Sequence, residues 1–143
     1  MRERRTIGFL FKQINHIYEK EFNHRLRSLG ITASQCEVLD FLLESGQEEV
    51  NQRDIEKALN LKNPTVTGIL KRLDEKGFIM ALPSRRDKRC KSIFLTGKAY
   101  DIQKRMERDR KKLDQMLTLG MTKKEIEALY KMLNRVLYNI AEP

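Results

Sequence analysis

The sequence has few of the residues that stabilise small extracellular scaffolds. Its 143 residues include 2 cysteines, 3 prolines and no tryptophan. Cys36 and Cys90 lie far apart in a chain long enough to bury a core, so no disulfide framework is needed and we expect both thiols to be reduced. The cysteine content therefore argues against a disulfide-rich secreted domain.

Long hydrophobic runs are also missing. The first residues, MRERRTIGFLFK, have a basic start, but the apolar stretch that follows ends at Lys12. That stretch is too short for a signal peptide or a membrane span. We expect a cytoplasmic protein with no membrane partner.

The sequence lacks the common patterns of catalytic and metal sites. It has only 7 glycines and no GxSxG, HExxH or glycine-rich phosphate-binding motif. His16 and His24 have no partner at helical spacing, and no CxxC occurs. Glu48 and Glu49 are adjacent carboxylates, but they fall in a predicted loop, where a solvated surface is the expectation. We expect no enzymatic activity, no metal and no cofactor.

Positive charge is present in excess and is unevenly distributed. The formal net charge is +9, and residues 51–95 carry 11 basic against 5 acidic groups. Such a basic middle third favours a polyanionic partner, either nucleic acid or an acidic lipid surface, although a basic protein can also be merely soluble.

Helical periodicity accounts for the first half of the chain. Apolar residues at steps of three and four predict a long first helix that ends near Gly30. Thr32 and Gln35 form a capping-box pattern at the start of a second helix, which closes near Gly46.

Two shorter helices follow in close succession. Asn51 and Asp54 open the first of them, and Asn63 is predicted to cap the second, with Pro64 at its first helical position. Two helices joined by so short a turn favour a helix-turn-helix, although an ordinary helical hairpin fits the same pattern. The apolar side of the second helix comprises Val66, Ile69, Leu70 and Leu73. Its other faces carry Thr65, Thr67, Gly68, Lys71 and Arg72, small and cationic groups suited to base edges and phosphates.

A β-hairpin is predicted after Gly77. The segments FIMAL and CKSIFL are rich in strand-forming residues and flank the turn-forming stretch PSRRDKR. The hairpin carries Arg85, Arg86, Lys88, Arg89 and Lys91. Beside a helix-turn-helix this loop would be a charged arm for DNA; its alternatives are a solvated turn or a basic localisation patch.

The last third of the chain predicts two more helices. The first, after Thr96, has a narrow apolar seam amid heavy charge, and a second capping box, Thr122 with Glu125, opens the final helix. The apolar stripe of that helix comprises Ile126, Leu129, Tyr130, Leu133, Val136, Leu137 and Ile140. One small domain has difficulty covering this stripe and that of the first helix, so we favour a homodimer over packing within one chain.

The segment LKNPTVTGILKRLDEKGFIMALPSRRDKRCKSIFLTGKAYDI resembles the signature region of the multiple antibiotic resistance regulator (MarR) family. The likeness lies in RLDEKGFI, in the Asp-x-Arg of DKR and in LTGKA, and it extends outward to nearly the whole chain. It implies a mainly α fold with a small β-hairpin wing: a winged helix-turn-helix with amino- and carboxy-terminal dimerisation helices. Residues 1–143 would form one such domain, with dimerisation helices at 1–30 and 96–143 and a DNA-binding lobe at 31–95.

The resemblance also implies a function: the protein would be a homodimer that binds double-stranded DNA at a pseudopalindromic operator. Such a protein is usually a repressor that is released by a small-molecule effector or by oxidation. Thr65, Thr67, Gly68 and Lys71 would lie in the major groove. Arg89 would enter the minor groove, and Asp87 would brace the wing through a salt bridge. Gly68 stands where relatives often carry arginine, so the operator preference would differ. The expected DNA-binding residues are Gln52, Arg53, Asn63, Pro64, Thr65, Thr67, Gly68, Lys71, Arg72, Arg85, Arg86, Asp87, Lys88 and Arg89.

An effector pocket is expected between the first two helices and the DNA-binding lobe. By the same resemblance its residues would be Lys12, Asn15, His16, Cys36 and Glu37. Two other functions stay open. One is a basic winged-helix module that binds a protein partner or RNA. The other is a thiol-based redox regulator, because Cys90 is flanked by cations that favour a reactive thiolate; peroxide-sensing relatives, however, place their cysteine in the first helix, where this chain has none.

Overall fold

The computed structural model describes residues 6–46 and 48–141, which form six helices and one two-stranded hairpin. The helices are α1 (Ile7–Ser28), α2 (Ala33–Glu44), α3 (Gln52–Leu59), α4 (Asn63–Glu75), α5 (Gly97–Leu117) and α6 (Lys123–Ala141). The strands are β1 (Ile79–Pro83) and β2 (Lys91–Leu95), between α4 and α5. The chain divides into two compact units, residues 1–109 and 110–143, with the boundary inside α5.

Local hydrogen bonds set the helix starts, largely as the sequence predicts. Thr32 and Gln35 form a capping box on α2, and Asn51 and Asp54 form one on α3. At α6 the Glu125 N–H donates to Thr122 Oγ1 at 3.2 Å, while the Thr122 N–H donates to Glu125 Oε1 at 3.0 Å. These reciprocal bonds satisfy backbone donors that the first turn of a helix leaves unpaired.

The prediction for the start of α4 was wrong. Its cap is Lys62, which contributes no side-chain hydrogen bond, and Asn63 is the first helical residue. Pro64 therefore sits one position later than expected, still within the first turn, where a missing N–H costs little. The Asn63 amide donates instead to Glu56 Oε2 of α3 at 3.0 Å. That contact takes the side chain that would otherwise cap α4.

The core of the first unit joins the helix-turn-helix to the hairpin and to α5. It includes Leu26, Val38, Leu39, Ile55, Val66, Leu73, Phe78, Ile93 and Met106. Val66 and Leu73 are fully buried and lie seven residues, or two turns, apart. Their burial fixes the rotation of α4 and turns its opposite face to solvent.

The hairpin is antiparallel, with Ile79 opposite Leu95 and Pro83 opposite Lys91. A third segment joins it, because the Ile93 N–H donates to the Val50 carbonyl at 2.7 Å. The chain just before α3 is thereby attached to β2. Buried side chains on β2 and a mostly exposed β1 leave the hairpin with one face on the core and the other in solvent.

Candidate nucleic-acid interface

The exposed face of α4 holds every polar residue that the sequence assigns to it. Thr65, Thr67, Gly68, Lys71 and Arg72 are all exposed. At Gly68 an added Cβ would meet no atom within 4 Å, so packing does not require a glycine there. Because Gly68 has no side chain, another molecule can approach the helix backbone closely at this position.

α3 contacts this face through one side chain. The Gln52 amide nitrogen donates to Thr67 Oγ1 at 2.8 Å and also lies 3.4 Å from the Asn63 carbonyl oxygen. Gln52 is only partly exposed, whereas its neighbour Arg53 is exposed. Within the described structure the Gln52 amide is thus engaged with α4.

The loop between the strands, residues 84–90, presents its cations to solvent. Arg85, Arg86, Lys88 and Arg89 are exposed. Arg89 pairs with Asp87, as the family resemblance implies: Nε lies 3.2 Å from Oδ1, and the Arg89 backbone N–H donates to the same oxygen at 3.0 Å. Because the Arg89 side chain is 91% exposed, this ion pair contributes little to stability. It restricts where the guanidinium points.

α4 and the hairpin border a common hollow of about 260 Å³. Its walls include Thr67 and Lys71 from α4, Ala81 from β1 and Lys91 from β2. The helix face and the hairpin therefore open on the same side of the molecule. This juxtaposition is the feature that a groove-reading surface needs, and it places cations next to small polar groups.

Two carboxylates, one in the loop and one next to it, are held in their ionised form. Hydrogen bonds from the Arg89 side chain and backbone hold the pKa of Asp87 below its ordinary value of 3.8. The backbone N–H of Arg85, assisted by the Ser84 hydroxyl, holds the pKa of Glu49 below 4.5, against a smaller opposing effect of burial. Both groups are therefore charged at neutral pH.

Sequence reasoning missed Glu49. It was expected to be a solvated loop residue like Glu48, yet its side chain is partly buried and contacts Ser84 and Arg85, 35 and 36 residues further along the chain. No local pattern signals such contacts. The attachment of Val50 to β2 brings the carboxylate to the base of the hairpin.

The residues expected to bind an effector are more dispersed. Lys12, Asn15, His16 and Glu37 are exposed, whereas Cys36 is 3% exposed and its sulfur lies 3.7 Å from Met106 Sδ. An open depression of about 850 Å³ runs along α1, and of the five residues only His16 lines it.

The part of the chain that the structure describes contains neither a candidate metal site nor a candidate membrane span. No group of three or more His, Cys, Asp or Glu side chains there could hold a metal ion. None of the helices described combines the length and the apolar character that crossing a membrane requires.

A helix-turn-helix followed by a two-stranded hairpin defines a winged helix-turn-helix protein, and we call the hairpin with its loop (residues 79–95) the wing. Residues 31–91 match the model of the MarR family. This segment is similar to the MarR family, and solved structures of transcription regulators are similar to the chain in fold.

Solved structures agree along almost the full length. MepR, a transcription regulator of the Staphylococcus aureus multidrug efflux pump MepA, is 26% identical, with 94% of this chain and 98% of that chain covered and a TM-score of 0.86. The S. aureus MepR–DNA complex is 27% identical, with 94% and 96% covered and a TM-score of 0.69. A mutant MarR from E. coli is 28% identical, with 92% and 96% covered and a TM-score of 0.76.

Proposed function

We propose that this protein binds double-stranded DNA at a pseudopalindromic operator and represses transcription, without enzymatic activity. The observation that carries the proposal is the common hollow bordered by the exposed face of α4 and the wing. α4 would enter the major groove, where small polar groups and Lys71 can read base edges. The wing would reach the backbone and the adjacent minor groove with Arg89.

Further DNA contacts follow from the same docking. Gln52, Arg53, Asn63 and Pro64 lie at the amino ends of α3 and α4, and helix amino ends favour phosphate. Further exposed cations lie in α4 and in the wing loop: Arg72, Arg85, Arg86 and Lys88. The MepR–DNA complex supports a DNA partner, because that relative is similar in fold over nearly all of this chain.

The functional unit would be a homodimer. Two copies of α4 read half-sites on one face of DNA only when they are about 34–36 Å apart, one helical turn. The terminal segments, 1–30 and 96–143, would form the dimer interface around the lobe at 31–95. Exposed apolar stripes on α1 and α6 support this assignment, since water-exposed leucine and isoleucine rows favour a partner.

A small-molecule effector would release the operator by favouring a dimer with a different spacing of its two α4 helices. Lys12, Asn15, His16, Cys36 and Glu37 are the residues proposed to bind it. The protein would act in the cytoplasm, because its proposed ligand is operator DNA inside the cell.

The test is duplex binding measured by fluorescence anisotropy, using the DNA immediately upstream of the protein's own coding region. Each phosphate contact releases counterions, so log Kd should rise linearly with log salt, with a slope of about 0.9 per contact. Arg89→Ala should weaken binding to all duplexes and lower this slope. Lys71→Ala should change the preference among sequences.

Lys57→Ala is the control, because it removes an exposed cation of α3 that lies in the lobe but outside the residues proposed to bind DNA and outside the proposed dimer interface. RNA and random duplex serve as competitors. Salt-insensitive binding, an unaffected Arg89→Ala variant, or preference for RNA over the upstream duplex would each contradict the proposal.

A further inference from the structure

Glu49 connects the chain before α3 to the base of the wing. The adjacent residue, Val50, accepts the Ile93 N–H at 2.7 Å, which brings Glu49 next to the first residues of the wing loop. Glu49 Oε1 accepts the backbone N–H of Arg85 at 2.9 Å, and Oε2 accepts the Ser84 hydroxyl at 3.0 Å. One carboxylate thus holds two consecutive residues of the loop.

Ser84 extends this contact along the wing. Its hydroxyl oxygen accepts the backbone N–H of Arg86 at 3.1 Å, and its own N–H donates to the Cys90 carbonyl at 2.8 Å across the loop. Ser84 is 9% exposed, whereas the arginines that follow it are exposed. A chain of hydrogen bonds therefore runs from Glu49 to the backbone of both Arg85 and Arg86, and it leaves their guanidinium groups in solvent.

The charge of Glu49 makes this arrangement unexpected for a DNA-binding surface. A carboxylate beside Arg85 and Arg86 repels phosphate, so on charge alone it should weaken binding. A loop held in one conformation before binding loses less entropy when it binds, which strengthens binding. These two effects predict opposite results when Glu49 is removed.

We propose that Glu49 is a positioning residue for DNA binding: it fixes the wing backbone so that Arg85 and Arg86 are directed at the phosphate backbone. The inference rests on the proposed function, since it assumes that the wing contacts DNA. The positioning effect outweighs the repulsion, because two hydrogen bonds to a carboxylate hold the loop and such bonds are stronger than neutral ones.

The first experiment needs no DNA. Amide hydrogen exchange, followed by NMR, measures opening of the Arg85 and Arg86 N–H groups in the free protein. Glu49→Ala should accelerate exchange of the Arg85 amide by about tenfold, since its hydrogen bond to a charged acceptor is lost. Exchange of the Arg86 amide should rise less, because its acceptor, the Ser84 hydroxyl, remains but is no longer held by Glu49. Glu48→Ala is the matched control: it removes the same charge from the neighbouring exposed carboxylate and should leave both amides unchanged.

The second experiment measures Kd and its salt dependence on the upstream duplex. Glu49→Ala should raise Kd by about tenfold and reduce the salt slope, because the wing arginines no longer hold phosphates. Glu48→Ala should leave Kd unchanged or lower it. Ser84→Ala keeps the charge of Glu49 but removes the hydroxyl that links it to Arg86, and it should weaken binding in the same direction.

The outcomes separate this role from the proposed function. A wild-type protein without salt-sensitive duplex binding would overturn the proposed function, while the exchange rates would still show whether Glu49 orders the wing. If the wild type binds but Glu49→Ala binds more tightly, as charge alone predicts, the positioning role is overturned by itself. Unchanged exchange at Arg85 in Glu49→Ala would overturn it as well.

Discussion

Among single residues, the contact between Gln52 and Thr67 determines how the Thr67 hydroxyl would be presented to DNA under the proposed function. A hydroxyl has one hydrogen and two lone pairs. Thr67 Oγ1 accepts the Gln52 amide at 2.8 Å, which leaves its hydrogen to point elsewhere. Thr67 is therefore presented as a donor, suited to phosphate oxygens or to the N7 and O4 acceptors of the major groove. Besides its proposed contact with DNA, Gln52 would therefore orient the Thr67 hydroxyl.

We expect the effects of Gln52→Ala and Thr67→Val on operator binding to be strongly non-additive. Each substitution removes the same hydrogen bond, so a double-mutant cycle on Kd should give a coupling energy of about 1 kcal/mol. The cycle of Gln52→Ala with Thr65→Val is the control, because Gln52 donates to Thr67 and Asn63. Additive effects in the Thr67 cycle would show that the contact is irrelevant to binding.

At the scale of elements, lysine side chains hold the carboxyl end of α4 in place. Lys76 Nζ donates to the Gly30 carbonyl at 2.6 Å and to Gln35 Oε1 at 2.9 Å, which ties α4 to the turn between α1 and α2. Lys98 Nζ of α5 donates to the Lys76 carbonyl at 2.6 Å. A helix carboxyl end has unpaired carbonyl groups and a partial negative charge, so cations are favoured there.

Replacing Lys76 should therefore lower the free energy of unfolding. We expect a loss of about 1–3 kcal/mol for Lys76→Met, because the amide oxygen of the buried Gln35 loses a charged donor. Urea denaturation followed by circular dichroism provides the measurement. Lys57→Met, a change at an exposed lysine of α3, is the control. Equal midpoints for the two variants would refute the role of Lys76.

In the molecule as a whole, α6 has more exposed large apolar side chains than any other described helix or strand. Tyr130 is 69%, Leu137 63% and Ile140 73% exposed, and none of the residues of α6 that the structure describes is buried. Ile7 and Ile17 on α1 are exposed to a similar degree. Burying such side chains stabilises by about 1.5–3 kcal/mol each, which favours a partner that covers them; under the proposed function this partner is a second copy of the chain.

We expect Leu137→Glu to convert the dimer into a monomer. Burying an unpaired carboxylate in an apolar interface costs more than the dimer gains there. Sedimentation equilibrium gives the mass directly, and operator affinity should fall together with dimerisation. Asn139→Glu, which introduces the same charge at an exposed polar position of α6, should remain dimeric. A Leu137→Glu protein with the wild-type mass would exclude α6 from the interface.

Local sequence signals were enough to predict the helices and the hairpin. The capping boxes at Thr32, Asn51 and Thr122, the outward face of α4 and the hairpin were all predicted, because they depend on residues three to seven apart or on local turn chemistry. These signals involve residues close together in the chain, so they do not depend on how the helices and strands pack.

Which polar side chains contact one another depends on the folded chain and could not be predicted. Glu49 reaches Ser84 and Arg85, and Gln52 reaches Thr67, across 15 to 36 positions of sequence. The Asn63 side chain donates to Glu56 instead of capping α4 as predicted. Each of these polar groups has several acceptable partners in the chain, and periodicity carries no information about which of them folding brings within 3 Å.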